Sequence, residues 1–231
     1  MVAQLLDLAP DGFLEEEDAL VVYTDDAGLA DLRARFDQIE VDPVPPGWED
    51  EWRRFHVPVL VGPLWIGPPW QEPPPGSTPV VIDPGRAFGT GAHETTRLCL
   101  ELLLEVERGC FLDVGCGSGV LAIAAASLGF TPVVARDVDE SAVDATRRNA
   151  RANGVDLTVE RADATSDSLP ESDVAAANVT LAAVEALGAR IETKHLITSG
   201  YLVADEPRLP RFRRLERRTG ERFAADLFAR E

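Results

Sequence analysis

The segment Asp113-Val114-Gly115-Cys116-Gly117-Ser118-Gly119 constrains the fold more than any other. It follows an apolar entry, Cys110-Phe111-Leu112, and opens an Ala/Leu-rich run from Val120 to Leu128. An apolar run, three glycines at alternate positions and a stretch of good helix formers describe a strand, a tight turn and the start of a helix. The pattern continues on both sides. Strands are expected at 111–114, 132–137, 156–160, 173–178 and 195–202, with helices near 94–106, 119–128, 140–153 and 180–191. Val80–Asp83 is expected to enter the same sheet, and 215–218 with 223–228 to form a closing antiparallel hairpin around Thr219-Gly220. Alternating strands and helices imply an α/β fold with a mostly parallel, Rossmann-like sheet.

The register of the glycines narrows the ligand. A dinucleotide fingerprint reads G-x-G-x-x-G, whereas Gly115, Gly117 and Gly119 give G-x-G-x-G, with Val at 120 and the acid Asp113 two residues before the first glycine. This order suits a cofactor with a ribose and an amino-acid end but no pyrophosphate, as in S-adenosyl-L-methionine. Asp137 ends the second strand, 24 residues after Asp113, where a carboxylate is placed to accept from ribose hydroxyls. Asp163 follows the third strand and is placed to accept from an adenine amine, and Asn178 ends the fourth. Ligands of open α/β sheets bind outside the carboxyl ends of the strands, so Gly115, Asp137, Asp163 and Asn178 are expected to meet there.

Residues 1–70 read as a small α/β module, residues 71–79 as a Pro-rich linker and residues 80–231 as the cofactor-binding domain. Within the module, 4–8 and 48–55 look helical, as does 28–36; 19–23, 39–41, 57–61 and 64–66 look strand-like. Net charge is −18, and residues 1–80 carry 16 acids against 4 Arg. Such a balance argues against a nucleic-acid substrate, which needs basic contacts to phosphate, and suits a basic protein partner. Cys99, Cys110 and Cys116 lack metal-ligand spacing, and an odd count argues against a disulfide framework, so reduced thiols and no metal are expected. No apolar run approaches the ~18 residues of a membrane span, and no leader pattern opens the chain, so the expectation is a cytoplasmic monomer with no membrane contact.

Asp83-Pro-Gly-Arg-Ala-Phe88-Gly89-Thr90-Gly91-Ala-His93-Glu-Thr95-Thr96 is the second unusual stretch. It reads equally as a capped, flexible loop or as a lid over the cofactor, with Phe88, Gly89, Thr90, Gly91, His93 and Thr95 as its parts and Thr hydroxyls reaching the methionine carboxylate. Together with Leu112–Ala125, Asp137-Val-Asp139, Asn149…Asn153-Gly154, Ala177-Asn178-Val179 and Thr198-Ser-Gly200, this stretch resembles the PrmA family, bacterial methyltransferases of ribosomal protein L11. The resemblance covers roughly residues 13–228 and is most specific over 80–154. It implies the class I methyltransferase fold, methylation of Lys or α-amino groups on that ribosomal protein, and cofactor contacts at Thr96, Gly115, Asp137 and Asn178. The chain departs from the family pattern at Val179–Val184 and at Glu192–His195, and its amino-terminal module reads as shortened by one strand. These departures bear on the protein substrate more than on the cofactor.

The expected chemistry is transfer of a methyl group to an amine nitrogen. Asn178 is the candidate catalytic residue, because its side-chain oxygen can accept an N–H and aim the lone pair. His93 reads as a lid-structuring residue before a base, and His56 and His195 as structural. Two alternatives stand beside this reading: a methyltransferase for another protein or a small molecule, and an inactive S-adenosylmethionine-binding interaction protein.

Overall fold

The computed structural model describes residues 14–15, 20–22, 24, 26–36, 39–41, 56–83 and 93–231. The chain forms two compact units, Met1–Glu51 and Trp52–Glu231. In the first, β1 (Leu14–Glu15) pairs antiparallel with β2 (Leu20–Val21), and α1 (Asp26–Arg35) follows. Arg33 and Arg35 lie in the last turn of α1, where cations favour the negative end of the helix dipole. Residues 39–41 form no strand, contrary to the pattern of Ile39 and Val41. The segments expected to be helical at 4–8 and 48–55 lie outside the described residues.

The second unit begins with a three-stranded sheet, β3 (Val59–Val61), β4 (Leu64–Gly67) and β5 (Thr78–Val81). Here the structure corrects the sequence reading: Val80 belongs to a strand parallel to β4, with Ile66 opposite Val80, and does not enter the large sheet. The physical reason lies in the helix over Glu140–Asn153, which offers β5 side-chain amides in place of another strand. Strands β3 and β4 also fall in this unit, upstream of the Pro-rich stretch.

The large sheet has seven strands in the order β11-β12-β10-β9-β6-β7-β8. They are β6 (Phe111–Val114), β7 (Val133–Asp137), β8 (Thr158–Arg161), β9 (Ser172–Asn178), β10 (Thr193–Leu202), β11 (Phe212–Thr219) and β12 (Phe223–Arg230). The first five run parallel, and β12 pairs antiparallel with both β10 and β11. Helix α2 (Glu94–Leu103) leads into β6, and α3 (Val120–Ser127), α4 (Glu140–Asn153) and α5 (Leu181–Gly188) connect strands of the sheet. Leu98–Leu103, Val120–Ala125 and the β3–β5 sheet share one core cluster with Phe111 of β6. Leu112 and Val114 point the other way, into a second cluster with Val184 and Leu187 of α5. That alternation along β6 is the period-two signature of a strand covered on both faces. Strand order reverses between β6 and β9, and the crevice at such a switch point is where α/β sheets bind ligands.

Candidate functional site

Every sequence-predicted strand-tip residue lies at the carboxyl edge of the sheet. Gly115 directly follows β6, Asp137 ends β7, Asn178 ends β9 and Asp163 lies two residues beyond β8. Register aligns them: Val114 is opposite both Arg136 and Ala177, Asp137 opposite Arg161, and Asn178 opposite Ser199.

The glycine turn is built by close approach. Gly115 has φ +74°, and a Cβ there would stand 2.5 Å from Cγ1 of Val179, the residue after Asn178. Gly119, with φ +84°, would bring a Cβ within 2.8 Å of Thr146 Cγ2. Both positions combine a left-handed backbone with no space for a side chain, which only glycine meets without strain. Side chains from α4 then satisfy the carbonyls that the turn exposes. Thr146 Oγ1 donates to Gly117 O at 3.0 Å, and Asn149 Nδ2 donates to Ser118 O at 2.9 Å. The Asn149 Oδ1 atom accepts from Asp83 N at 3.2 Å, while Asn153, one turn on, accepts from Val81 N and donates to Val81 O. Two asparagines four apart thus join the glycine turn to the end of β5, and their role was missed in the sequence. Their spacing on one face of an otherwise Ala- and Arg-rich helix was the available signal.

Asp137 accepts from Gly117 N (2.9 Å) through Oδ2 and from Asp139 N (3.0 Å) through Oδ1. Each carboxylate oxygen retains a further lone pair for a hydroxyl donor. Val138 beside it is 60% exposed, an apolar surface at the cleft rim that sequence reasoning passed over. Asp163 uses Oδ1 to accept from Thr165 N and Oγ1, which caps its own loop and holds its carboxyl below the ordinary value. Asp113 lies beneath the turn, fully enclosed. Its Oδ2 accepts from Ala122 N in the first turn of α3 at 3.0 Å, and its Oδ1 is buried with no partner among the described residues. Burial pushes this carboxyl up to about 7; the Ala122 N–H opposes the rise and the charge of Asp137 adds to it.

His93 caps α2, with Nδ1 2.8 Å from Thr95 Oγ1 and accepting from Thr95 N, and its ring meets the edge of Phe223 at 5.0 Å between centroids. Thr95 and Thr96 are almost wholly buried and turn their hydroxyls toward Asn178, whose Nδ2 lies 3.0 and 3.4 Å from them. The lid residues Phe88, Gly89, Thr90 and Gly91 lie outside the described residues. Cys99 and Cys116 are buried, with thiols pushed up by burial, and Cys110 is half-buried; all three are free thiols. Among the described residues no helix is long and apolar enough to cross a membrane.

These groups fit a ligand with a ribose and an amino-acid end. Two glycines whose side-chain space is already filled let the backbone itself form the cleft wall, and Asp137 stands as acceptor beside the apolar Val138. Among the described residues the turn offers no Lys or Arg for a pyrophosphate: residues 113–119 contain neither.

Comparison with known proteins agrees with this geometry. Residues 13–205 match the family model described as "Ribosomal protein L11 methyltransferase (PrmA)". Curated relatives of that name include one from Caldanaerobacter subterraneus subsp. tengcongensis, 36% identical over 185 residues, covering 76% of this chain and 59% of the relative. Another, from Symbiobacterium thermophilum, is 44% identical over 154 residues, covering 63% of this chain and 48% of the relative. The chain therefore spans about half the length of the curated relatives it matches. A solved structure, the ribosomal protein L11 methylase of Lactobacillus delbrueckii subsp. bulgaricus, superposes with a TM-score of 0.67 at 26% identity, covering 75% of this chain and 98% of that one. The chain belongs to the ribosomal protein L11 methyltransferase (PrmA) family, a class I methyltransferase family whose cofactor is S-adenosyl-L-methionine.

Proposed function

We propose that this chain is an S-adenosyl-L-methionine-dependent N-methyltransferase that modifies Lys or α-amino groups of a basic protein, ribosomal protein L11 being the target that the family name indicates. When bound, the cofactor supplies an electrophilic methyl group. Gly115, Gly117 and Gly119 line its site, Asp137 accepts from its ribose, and Asp163 faces its adenine end. Thr95 and Thr96 border it, and Asp113 acts from below by fixing the turn to α3.

The observation that carries the reading is the state of Asn178. Its Nδ2 hydrogens point at Thr95 and Thr96, which leaves Oδ1 as the acceptor at the tip of β9, next to the switch point. An amide fixed in that way accepts an N–H of an incoming amine and orients its lone pair. The amine must first be neutral, and a Lys of ordinary pKa gives up its proton at pH 7 for about 4.6 kcal/mol. Desolvation in the cleft lowers that cost. The strongly acidic residues 1–80 suit a basic partner, with the amino-terminal module as its docking part, and the protein works as a cytoplasmic monomer.

Two measurements test this. Calorimetric titration should show S-adenosyl-L-methionine binding and no comparable binding of NAD. With purified L11 and labelled cofactor, Asn178→Ala should slow single-turnover transfer by about 2.7–4 kcal/mol, by analogy with loss of one preorganised hydrogen bond, and weaken cofactor binding less. Tighter binding of NAD, or an unlabelled L11 in the presence of bound cofactor, would sink the reading.

A further inference from the structure

The carboxylate of Glu94 has a task outside the cofactor cleft. It reaches from the first residue of α2 to the tip of the β11–β12 hairpin, where it accepts three successive backbone N–H groups. Oε1 takes Glu221 N; Oε2 takes Arg222 N at 3.1 Å and Phe223 N at 2.9 Å. These bonds hold the carboxyl below the ordinary value, Glu221 N–H contributing most. Gly220 makes the approach possible, since a Cβ there would overlap the Glu94 carboxylate. One residue back, His93 meets Phe223 edge-on, the residue whose N–H donates the last of these bonds. One and two residues on, Thr95 and Thr96 receive the Asn178 amide. The turn from 93 to 96 therefore grips the hairpin with one side and Asn178 with the other.

We infer that Glu94 is a positioning residue: through it the hairpin tip fixes the Thr95–Thr96 hydroxyls and, with them, the direction of the Asn178 side chain. The inference rests on the methyl-transfer reading only for its effect on rate; the coupling itself is a property of the fold. A carboxylate is required because three donors converge on two oxygens. Glutamine keeps the shape but turns an NH2 toward backbone N–H groups, so it loses at least one bond and meets a donor with a donor.

The test uses the full chain in four forms: wild type, E94Q, N178A and the double variant, with L215A as a control on an exposed residue of the same hairpin. Without any ligand, the Asn178 side-chain amide signal in an NMR spectrum, identified by its loss in N178A, should move in E94Q and exchange its hydrogens about tenfold faster. In L215A it should stay in place. In single-turnover transfer, E94Q should lose about tenfold, and E94Q in the N178A background no more than about twofold, because residues acting through one another are not additive. A fixed Asn178 signal in E94Q, an equal shift in L215A, or fully additive losses would each overturn the positioning role. Absence of transfer in the wild type would instead count against the proposed function, and the NMR comparison would still decide the role of Glu94.

Discussion

In one region of the large sheet, the turn after β6 is shaped by backbone conformation and held by amides and hydroxyls of α4 together with the Asp137 carboxylate. In the other, the β11–β12 hairpin is held by ionised side chains, one of which, Glu94, reaches far along the chain. Gly115 and Gly119 set the first flank, and Asp137, Thr146 and Asn149 secure it with partners 20 to 31 residues away. The hairpin flank relies on Glu94, up to 129 residues from its partners, and on Asp226, which is completely buried. Asp226 accepts from Tyr201 Oη at 2.8 Å and from Arg217 through Nε at 3.0 Å and Nη2 at 3.1 Å. The glycine turn is thus held mainly by uncharged side chains, with the half-buried Asp137 as its one strand-tip carboxylate. The scaffold behind Asn178 uses buried charge instead, where pairing gives geometry at the cost of desolvation.

The largest break in that comparison should come from Asp226→Ala. Removing it takes the buried carboxylate from the Arg217 guanidinium, 17% exposed, which keeps only the more exposed Glu206 as ion-pair partner, and leaves the Tyr201 hydroxyl without its carboxylate. Loss of one partner of a buried pair costs about 3–5 kcal/mol, read as a lower midpoint in denaturant unfolding. Cofactor affinity of the folded variant should stay within about threefold of wild type, since the glycine flank makes no contact with this network. A stability loss below about 1 kcal/mol would show that the hairpin does not depend on its buried charge.

Asp113 is the exception on the glycine flank, a fully buried carboxyl under a turn otherwise held by uncharged α4 side chains and the half-buried Asp137. Its ordinary value of 3.8 in the unfolded chain rises to about 7 in the fold. Between those values the folded state binds more protons than the unfolded one, so stability falls as pH rises from about 4 to 7 and levels off above. The contribution between pH 5 and pH 8 should be about 2–3 kcal/mol. Asp113→Asn, which imitates the protonated acid, should flatten that part of the profile, measured by denaturant unfolding at both pH values. An unchanged slope would assign the pH dependence to other groups.

A smaller effect, about 1–3 kcal/mol, is expected for Asn149→Ala, which removes the side-chain amide's bonds to the Asp83 N–H and the Ser118 carbonyl. Unlike Asp226→Ala, it should lower stability and cofactor affinity together, because the same amide holds the glycine turn and the end of β5. Unfolding and calorimetric titration on the one variant make the distinction, and loss of stability alone would detach Asn149 from the cleft.

The two flanks also differ in how far the sequence discloses them. Three glycines before an Ala/Leu run, and acids at strand ends, are local patterns, so the order of elements from 111 to 202 and the placement of Gly115, Asp137 and Asn178 at strand ends were legible. The hairpin was legible as an element, through Thr219-Gly220, but its attachment was not. Nothing in residues 220–223 or in His93-Glu94 signals that they touch, because a carboxylate that caps a distant turn looks like any acid in the first turn of a helix. Val80 was assigned to the wrong sheet for a related reason. An apolar run of four shows that a strand is covered, not which neighbour it pairs with, and here Asn149 and Asn153 occupy the edge that another strand would have taken.

The smallest effect should come from the outer face of the hairpin. Arg218 reaches Glu105, beyond the end of α2, across 113 residues of sequence, yet the two side chains are 36% and 43% exposed. A pair so open to solvent gains little, because water screens the attraction and two long side chains lose rotamer freedom. A double-mutant cycle with R218A and E105A in denaturant unfolding should therefore give a coupling of about 0.2–1 kcal/mol, falling further in high salt. The comparison with Asp226 is then direct: one strand neighbourhood, arginine partners in both cases, and burial as the variable. A coupling above about 2 kcal/mol, insensitive to salt, would mean that the Arg-rich face of β11 fastens the hairpin to α2 as firmly as the buried carboxylate does. Distance along the chain, and not burial, would then be the property that separates the two flanks.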